Sequence, residues 1–145
     1  MSFEPKDPFF EQKVRNSFGL QTVMKLIGAE LFSVAPGKVV IRLPYRKDLC
    51  QQNGFIHAGI ITTIADSACG YSSFSLMPPE TGVLSVEFKL NLLTPALGDF
   101  FMAEGQVIRP GKTLFVARSD VFSVQFNQKK MVATMQATIM CLDQN

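Results

Sequence analysis

Histidine occurs once in this chain of 145 residues, and cysteine three times, as Cys50, Cys69 and Cys141. A single histidine without clustered cysteines or carboxylates supplies no ligand set for a metal, so none is expected. Three cysteines are an odd number with no metal-like spacing, and Cys69 and Cys141 read as small core hydrophobes. That usage excludes a disulfide framework and fits a reducing compartment. Charged residues are scarce, at 18%, and their net balance is only +2. Basic runs and basic–aromatic interleaving are missing, which argues against a nucleic-acid surface. No apolar run reaches membrane-spanning length. The opening Met1-Ser2-Phe3-Glu4-Pro5 is acidic and proline-broken, unlike a signal peptide. Repeats, linkers and low-complexity tracts are also missing. A cytoplasmic protein without nucleic-acid or membrane partners is expected.

Apolar side chains, by contrast, are plentiful at 47%. A single domain over 1–145 is long enough to build a core without staples. The apolar surplus suits either a thick core or hidden subunit interfaces, and a homo-oligomer is the expectation adopted.

Phe10, Val14 and Phe18, then Leu20, Val23, Met24 and Ile27, recur at helical spacing, interrupted near Gly19 and ended by Gly28. Residues 1–27 therefore read as a helical extension. Leu31 to Val34 and Val39 to Leu43 flank the turn dipeptide Pro36-Gly37, which predicts a hairpin. After a loop from Pro44 to Ile56, a helix is expected from His57 to about Leu76, stopped by Pro78-Pro79. Its many small residues, among them Ala58, Gly59, Ala65, Ala68 and Gly70, allow close approach to a sheet. From Leu84, apolar Leu84, Val86, Phe88, Leu90 and Leu92 alternate with polar residues, predicting one long half-buried strand. Three further strands follow: Phe100 to Ile108, Thr113 to Phe126, and Lys130 to Leu142, the last two joined by a turn at Asn127-Gln128-Lys129. The implied α+β architecture is a long antiparallel sheet wrapped around one central helix, with open edges suited to pairing with another subunit.

The segment with most to say chemically runs from Asn53 to Asp66. It sets His57 at the start of an apolar helix and a lone carboxylate, Asp66, nine residues further on. A buried charge is costly without a partner or a purpose. The first-turn amides and that acid therefore form a candidate site.

His57-Ala58-Gly59 with Asp66 resembles the His-Gly-Gly helix opening and catalytic Asp of the hotdog-fold acyl-CoA thioesterases, in particular the phenylacetate-pathway branch. Leu84 to Ala96 is similar to that family's long strand after the helix, and Arg109-Pro110-Gly111-Lys112-Thr113 to its basic, glycine-containing turn. The resemblance runs from about Gly28 to the C-terminus. Ala58 replaces the first glycine of the pair, and Gln51 stands where many relatives have Asn. The resemblance implies a hotdog fold and hydrolysis of an acyl- or aryl-CoA thioester. The implied catalytic set is Asp66, Gln51, His57, Ala58, Gly59 and Ser85. Substrate or coenzyme A contacts are implied at Asn53, Gly54, Asn91 and the Arg109, Pro110, Gly111, Lys112 and Thr113 turn. No cofactor is expected beyond the coenzyme A of the substrate, and the assembly expected is a homodimer, further paired into a homotetramer.

In that reading the N–H groups of Ala58 and Gly59 hold the oxyanion, and Asp66 acts as general base or as nucleophile. Asp66 lies about 13–14 Å along the helix from His57 at 1.5 Å per residue. One thioester cannot reach both, so the site is expected to be shared between subunits. Simpler roles stand beside these: Asp66 as a surface charge, His57 as a structural hydrogen-bonding group, Ser85 as a solvated strand residue, and Arg109 and Lys112 as a solvated turn. A Cys50–His57 thiol nucleophile lacks an acid to orient the histidine. Phe55, Ile60, Ile61, Tyr71, Phe74 and Leu76 are candidate pocket residues. The alternatives in function are a non-catalytic acyl-CoA binding protein and a hotdog dehydratase or hydratase.

Overall fold

The computed structural model describes residues 2–143, so Met1, Gln144 and Asn145 of the expected 1–145 domain lie outside the described residues. Helices α1 (Phe10–Leu20) and α2 (Thr22–Ile27) precede the hairpin β1 (Glu30–Ala35) and β2 (Lys38–Pro44). A single-turn 3-10 helix, Lys47–Leu49, lies in the loop before the long helix α3 (Ala58–Phe74). Strands β3 (Thr81–Leu92), β4 (Phe100–Arg109), β5 (Leu114–Gln125) and β6 (Gln128–Asp143) complete the chain. All neighbouring strands are antiparallel, in the order β1-β2-β4-β5-β6-β3. The expected α+β architecture is present, with α3 held on one face of a six-stranded sheet. Among the described residues no helix is long and apolar enough to cross a membrane.

The core is the layer between α3 and that sheet face. Ile61, Ile64, Ala65, Ala68 and Cys69 pack on Ile41, Leu43, Phe101, Ala103, Phe115, Ala117, Met135 and Ile139, all fully or almost fully buried. Alternation along the strands puts these residues on one face of the sheet. At Gly105 the helix rests directly on the strand. A Cβ built there would sit 2.1 Å from the Ala68 carbonyl oxygen and 3.0 Å from the Ala68 Cβ.

Three local expectations are corrected. The break in the N-terminal helix falls at Gln21 (φ −76°, ψ 99°), not at Gly19. The Gln21 N–H donates to the Phe18 carbonyl to close α1, and its own carbonyl accepts from the Met24 N–H to open α2. The β5–β6 turn is centred on Phe126 and Asn127, with φ of 52° and 58°. A two-residue turn with both φ positive matches the twist of the strands it joins, and that requirement outweighs the preference of a phenylalanine.

The third correction concerns β3. Ser85 pairs with Ile139 and Phe88 with Ala137, both core residues, and the register shifts between Ser85 and Glu87. The extra residue, Val86, reverses the facing of the strand. Ser85 therefore faces α3 before this bulge, Phe88, Leu90 and Leu92 do so after it, and Glu87, Lys89 and Asn91 line the outer face. Since β3 is the last strand of the sheet, its apolar side chains are poorly covered. Leu84, Val86, Phe88 and Leu92 remain 55%, 53%, 44% and 56% exposed.

Replacing Gly105 with alanine forces α3 off the sheet. The expected loss is at least about 2 kcal/mol in chemical denaturation, the range of an overpacked core.

Candidate active site

The N-terminus of α3 is fastened by the histidine that precedes it. His57 is extended (φ −58°, ψ 138°), and its Nδ1 accepts the Gly59 N–H at 2.8 Å. A backbone N–H can only donate, so Nδ1 is unprotonated and the neutral ring carries its proton on Nε2. The Ile60 and Ile61 N–H groups donate to the His57 carbonyl at 2.9 and 3.2 Å. Ala58 N–H is thus the one first-turn donor without a protein acceptor among the described residues. The expected pair of free donors, Ala58 and Gly59, is reduced to Ala58.

Gln51 organises the loop in front of this helix end. Its Oε1 accepts from the N–H groups of Asn53 and Phe55, and the Tyr45 hydroxyl donates to the Gly54 carbonyl at 3.0 Å. Gly54 has φ 83°, a left-handed conformation that glycine adopts at little cost. Gln51, Phe55, Ala58, Ile61 and Leu92 line a cleft of about 240 Å³ here. The Cys50 thiol is directed to the Tyr45 hydroxyl at 3.3 Å and the Arg46 carbonyl at 3.5 Å, not to His57.

Asp66 lies half-buried near the middle of α3, on its β3 side. The Ser85 hydroxyl donates to Asp66 Oδ1 at 2.6 Å. Both line a cleft of about 260 Å³ together with Gln21, Ser67, Gly70, Tyr71, Val83 and Leu84. One turn along, burial pushes the Cys69 thiol well above its ordinary range, and the charge of Asp66 adds to the shift. Cys69 is therefore held as a neutral thiol, a core residue and not a nucleophile.

The candidate residues thus fall into separate groups. Asp66 and Ser85 meet in one cleft and Gln51 and Ala58 in another, with no lining residue in common. Eight residues of helix put Asp66 about 12 Å from Ala58 within one chain. Pro110, Gly111 and Lys112 line a third cleft, with Phe3, Lys6 and Leu76, beyond the C-terminal end of α3, while Arg109 and Thr113 are exposed on the same turn. Asn91 lies on the outer face of the sheet, where it accepts from Lys89 Nζ at 2.8 Å. Of the candidate pocket residues, Tyr71 lines the Asp66 cleft, Phe55 and Ile61 the Gln51 cleft, and Phe74 is core.

Sequence reasoning missed Gln21, Ser67 and Gly70. Helical spacing from Asp66 through Gly70, and from Ser67 through Tyr71, carried a signal for two of them. For Gln21, some forty-five residues upstream, there was none.

A sheet wrapped on one helix, with an acid facing a cleft and a free amide at the helix start, defines the hotdog-fold thioesterase class. Residues 53–127 match the family model described as "Thioesterase superfamily". The chain belongs to the thioesterase superfamily. A thioesterase family protein from Silicibacter pomeroyi superposes with a TM-score of 0.91 at 47% identity, over 92% of this chain and 98% of that one. The E. coli PaaI protein of the phenylacetic acid degradation operon shares the fold, with a TM-score of 0.81 at 20% identity over 90% and 91% of the two chains. Human acyl-coenzyme A thioesterase 13 is 30% identical over 94 residues, 63% of this chain and 65% of that protein. The matches to curated relatives span from about two thirds to three quarters of their lengths.

Replacing His57 with alanine removes the cap and is expected to lower stability by about 1 kcal/mol. Asparagine, itself a good cap, should restore most of that loss in urea denaturation. With only a capping role, His57→Asn keeps kcat within about tenfold, whereas loss of a proton-transfer group costs a hundredfold or more.

Proposed function

We propose that this chain hydrolyses an acyl- or aryl-CoA thioester to the free acid and coenzyme A, at sites shared by two subunits. The observation that carries the reading is the Asp66–Ser85 pair: a carboxylate facing a cleft on the open edge of the sheet, oriented by a hydroxyl at 2.6 Å. Ser85 occupies Oδ1 and leaves Oδ2 to take a proton from water, or to attack the carbonyl itself. Attack places negative charge on the carbonyl oxygen, which needs a donor held in advance. Ala58 N–H suits that role because it is free and lies at the positive end of α3. Its distance from Asp66 in one chain means that the donor comes from Ala58 of the partner subunit. Collapse of the tetrahedral intermediate breaks the C–S bond, and coenzyme A departs as a thiolate that takes up the proton Asp66 removed from water; on the nucleophilic route water then hydrolyses the acyl–Asp66 anhydride, releasing the acid and restoring the carboxylate.

The half-exposed apolar row on β3 and the unpaired backbone of that edge strand support a homodimer built along this edge. Two such dimers would form the expected homotetramer. The Arg109–Thr113 turn offers Arg109 and Lys112 to the phosphates of coenzyme A. Gln51 lines the same cleft as Ala58, and its amide N–H groups can hold a carbonyl or a water there.

Asp66→Asn should lower kcat by about 10²–10⁴ in a thiol-release assay on acyl- and aryl-CoA esters, the range for a lost general base. Ala58→Pro is the sharper variant. Proline is favoured at the first helical position, so the fold survives while the oxyanion donor disappears. Neither variant alone should turn over. Equal mixing of the two should restore about a quarter of wild-type activity, because half the dimers are hybrids and each rebuilds one of its two equivalent sites. Hybrids that form without recovery would place both groups in one chain, turnover unchanged in Asp66→Asn would remove Asp66 from the chemistry, and binding of the esters with no turnover by the unsubstituted chain would leave an acyl-CoA binding protein.

A further inference from the structure

The loop that carries Gln51 closes on its own side-chain amide. Gln51 N–H donates to the Phe55 carbonyl at 2.9 Å, and Gly54 N–H to the Gln51 carbonyl at 3.1 Å. Inside this turn the Gln51 side-chain oxygen accepts from Phe55 N–H at 3.4 Å and from Asn53 N–H. A backbone N–H can only donate, so the end of the amide turned to these two groups is its oxygen. The Nε2 N–H groups are thereby directed away from the turn, and they have no acceptor among the described residues. They are left to the cleft that Gln51 lines together with Ala58.

A turn of this kind does not hold such an amide by itself. Gln52 and Asn53 at its tip are exposed, and a glutamine side chain loses much rotamer freedom when it is fixed. Among the described residues a single hydrogen bond ties residues 51–55 to the rest of the chain, from the Tyr45 hydroxyl to the Gly54 carbonyl at 3.0 Å. Tyr45 directly follows β2, and its N–H donates to the Asp99 carbonyl, at the start of β4, at 2.9 Å. Its ring packs on the core. The Cys50 thiol donates to the Tyr45 oxygen at 3.3 Å, which leaves the hydroxyl hydrogen to Gly54.

We propose that Tyr45 is a positioning residue for thioester hydrolysis: its hold on Gly54 keeps the turn closed on the Gln51 amide, which presents an Nε2 N–H beside Ala58 N–H as a second donor to the reacting carbonyl. This inference rests on the Gln51–Ala58 cleft receiving that carbonyl. Negative charge gathers on the carbonyl oxygen as the nucleophile attacks, and a donor stabilises it most when it is already in place. A glutamine free to rotate would have to be ordered first, and its contribution would shrink by that cost. Tyr45 touches no reacting atom and acts through Gln51 alone.

The test is a double-mutant cycle on kcat, using the ester that the unsubstituted chain hydrolyses fastest. Tyr45→Phe keeps the ring and removes only the oxygen. It is expected to lower kcat about tenfold, with KM within about twofold of the original. Gln51→Ala should lower kcat about a hundredfold, the lower end for a lost oxyanion donor. In the Gln51→Ala background Tyr45→Phe should cost nothing further, because the group through which it acts is gone. A tyrosine that merely steadied the fold would cost the same in both backgrounds. That result, or an unchanged kcat in either single variant, would overturn the proposal. The Gln51 side-chain amide, identified in spectra of isotope-labelled glutamine as the resonance missing from Gln51→Ala, reads the hold without turnover. It should be ordered in the unsubstituted chain and mobile in Tyr45→Phe, and equal order in the two would likewise overturn the proposal. No ester hydrolysed, with the amide still released by Tyr45→Phe, would remove the hydrolase reading and leave the hold of Tyr45 on Gln51 standing.

Discussion

The contact on which this structure turns is a backbone resting on a backbone. With no side chain at Gly105, the Ala68 carbonyl of α3 comes against β4, and the whole helix sinks onto the sheet. Its depth there sets how far Asp66 stands above β3, and so whether the Ser85 hydroxyl can reach it. The small residues of α3 serve the same end: alanine at 65 and 68 permits the approach, and larger side chains would lift the acid away from its partner. The geometry of the site is in this sense a packing property, and the chemistry sits on top of it.

Much of this was legible in the chain. The order of elements, the hairpin, the central helix and the long C-terminal strands follow from period and punctuation, since those signals are local. The bulge at Val86 was not, because strict alternation through Leu84 to Leu92 is itself the pattern of an unbroken strand. Only pairing with β6 reveals that the facing changes midway. The Phe126–Asn127 turn escaped for a related reason: the twist of two strands decided a position where residue preference pointed one step later.

The site divides along the same line. Asp66 and the helix entrance could be found from one segment, because a charge in an apolar helix and a histidine before it are local anomalies. That Nδ1 of His57 takes up the Gly59 amide needed coordinates, and it changes which donor is free. The Arg109–Thr113 turn and Asn91, by contrast, match a family pattern in sequence yet stand apart from Asp66 within the single chain. Gln21 lay beyond any local reading, as its place depends on how an N-terminal extension folds back over α3.

The strand order also bears on how the molecule is made and lost. β4, β5 and β6 follow one another in the chain and in the sheet, so they zip together through short loops. β3 precedes them in sequence but sits at the far edge, beside the last strand to be made. It must wait for β6, and this long-range closure is the slow kind. Ser85 travels with it. On an edge strand with one neighbour, β3 is also placed to open before the rest of the sheet. The acid would then lose its partner hydroxyl while the core remained intact, so the site would be the last part of the fold to assemble and among the first to come apart.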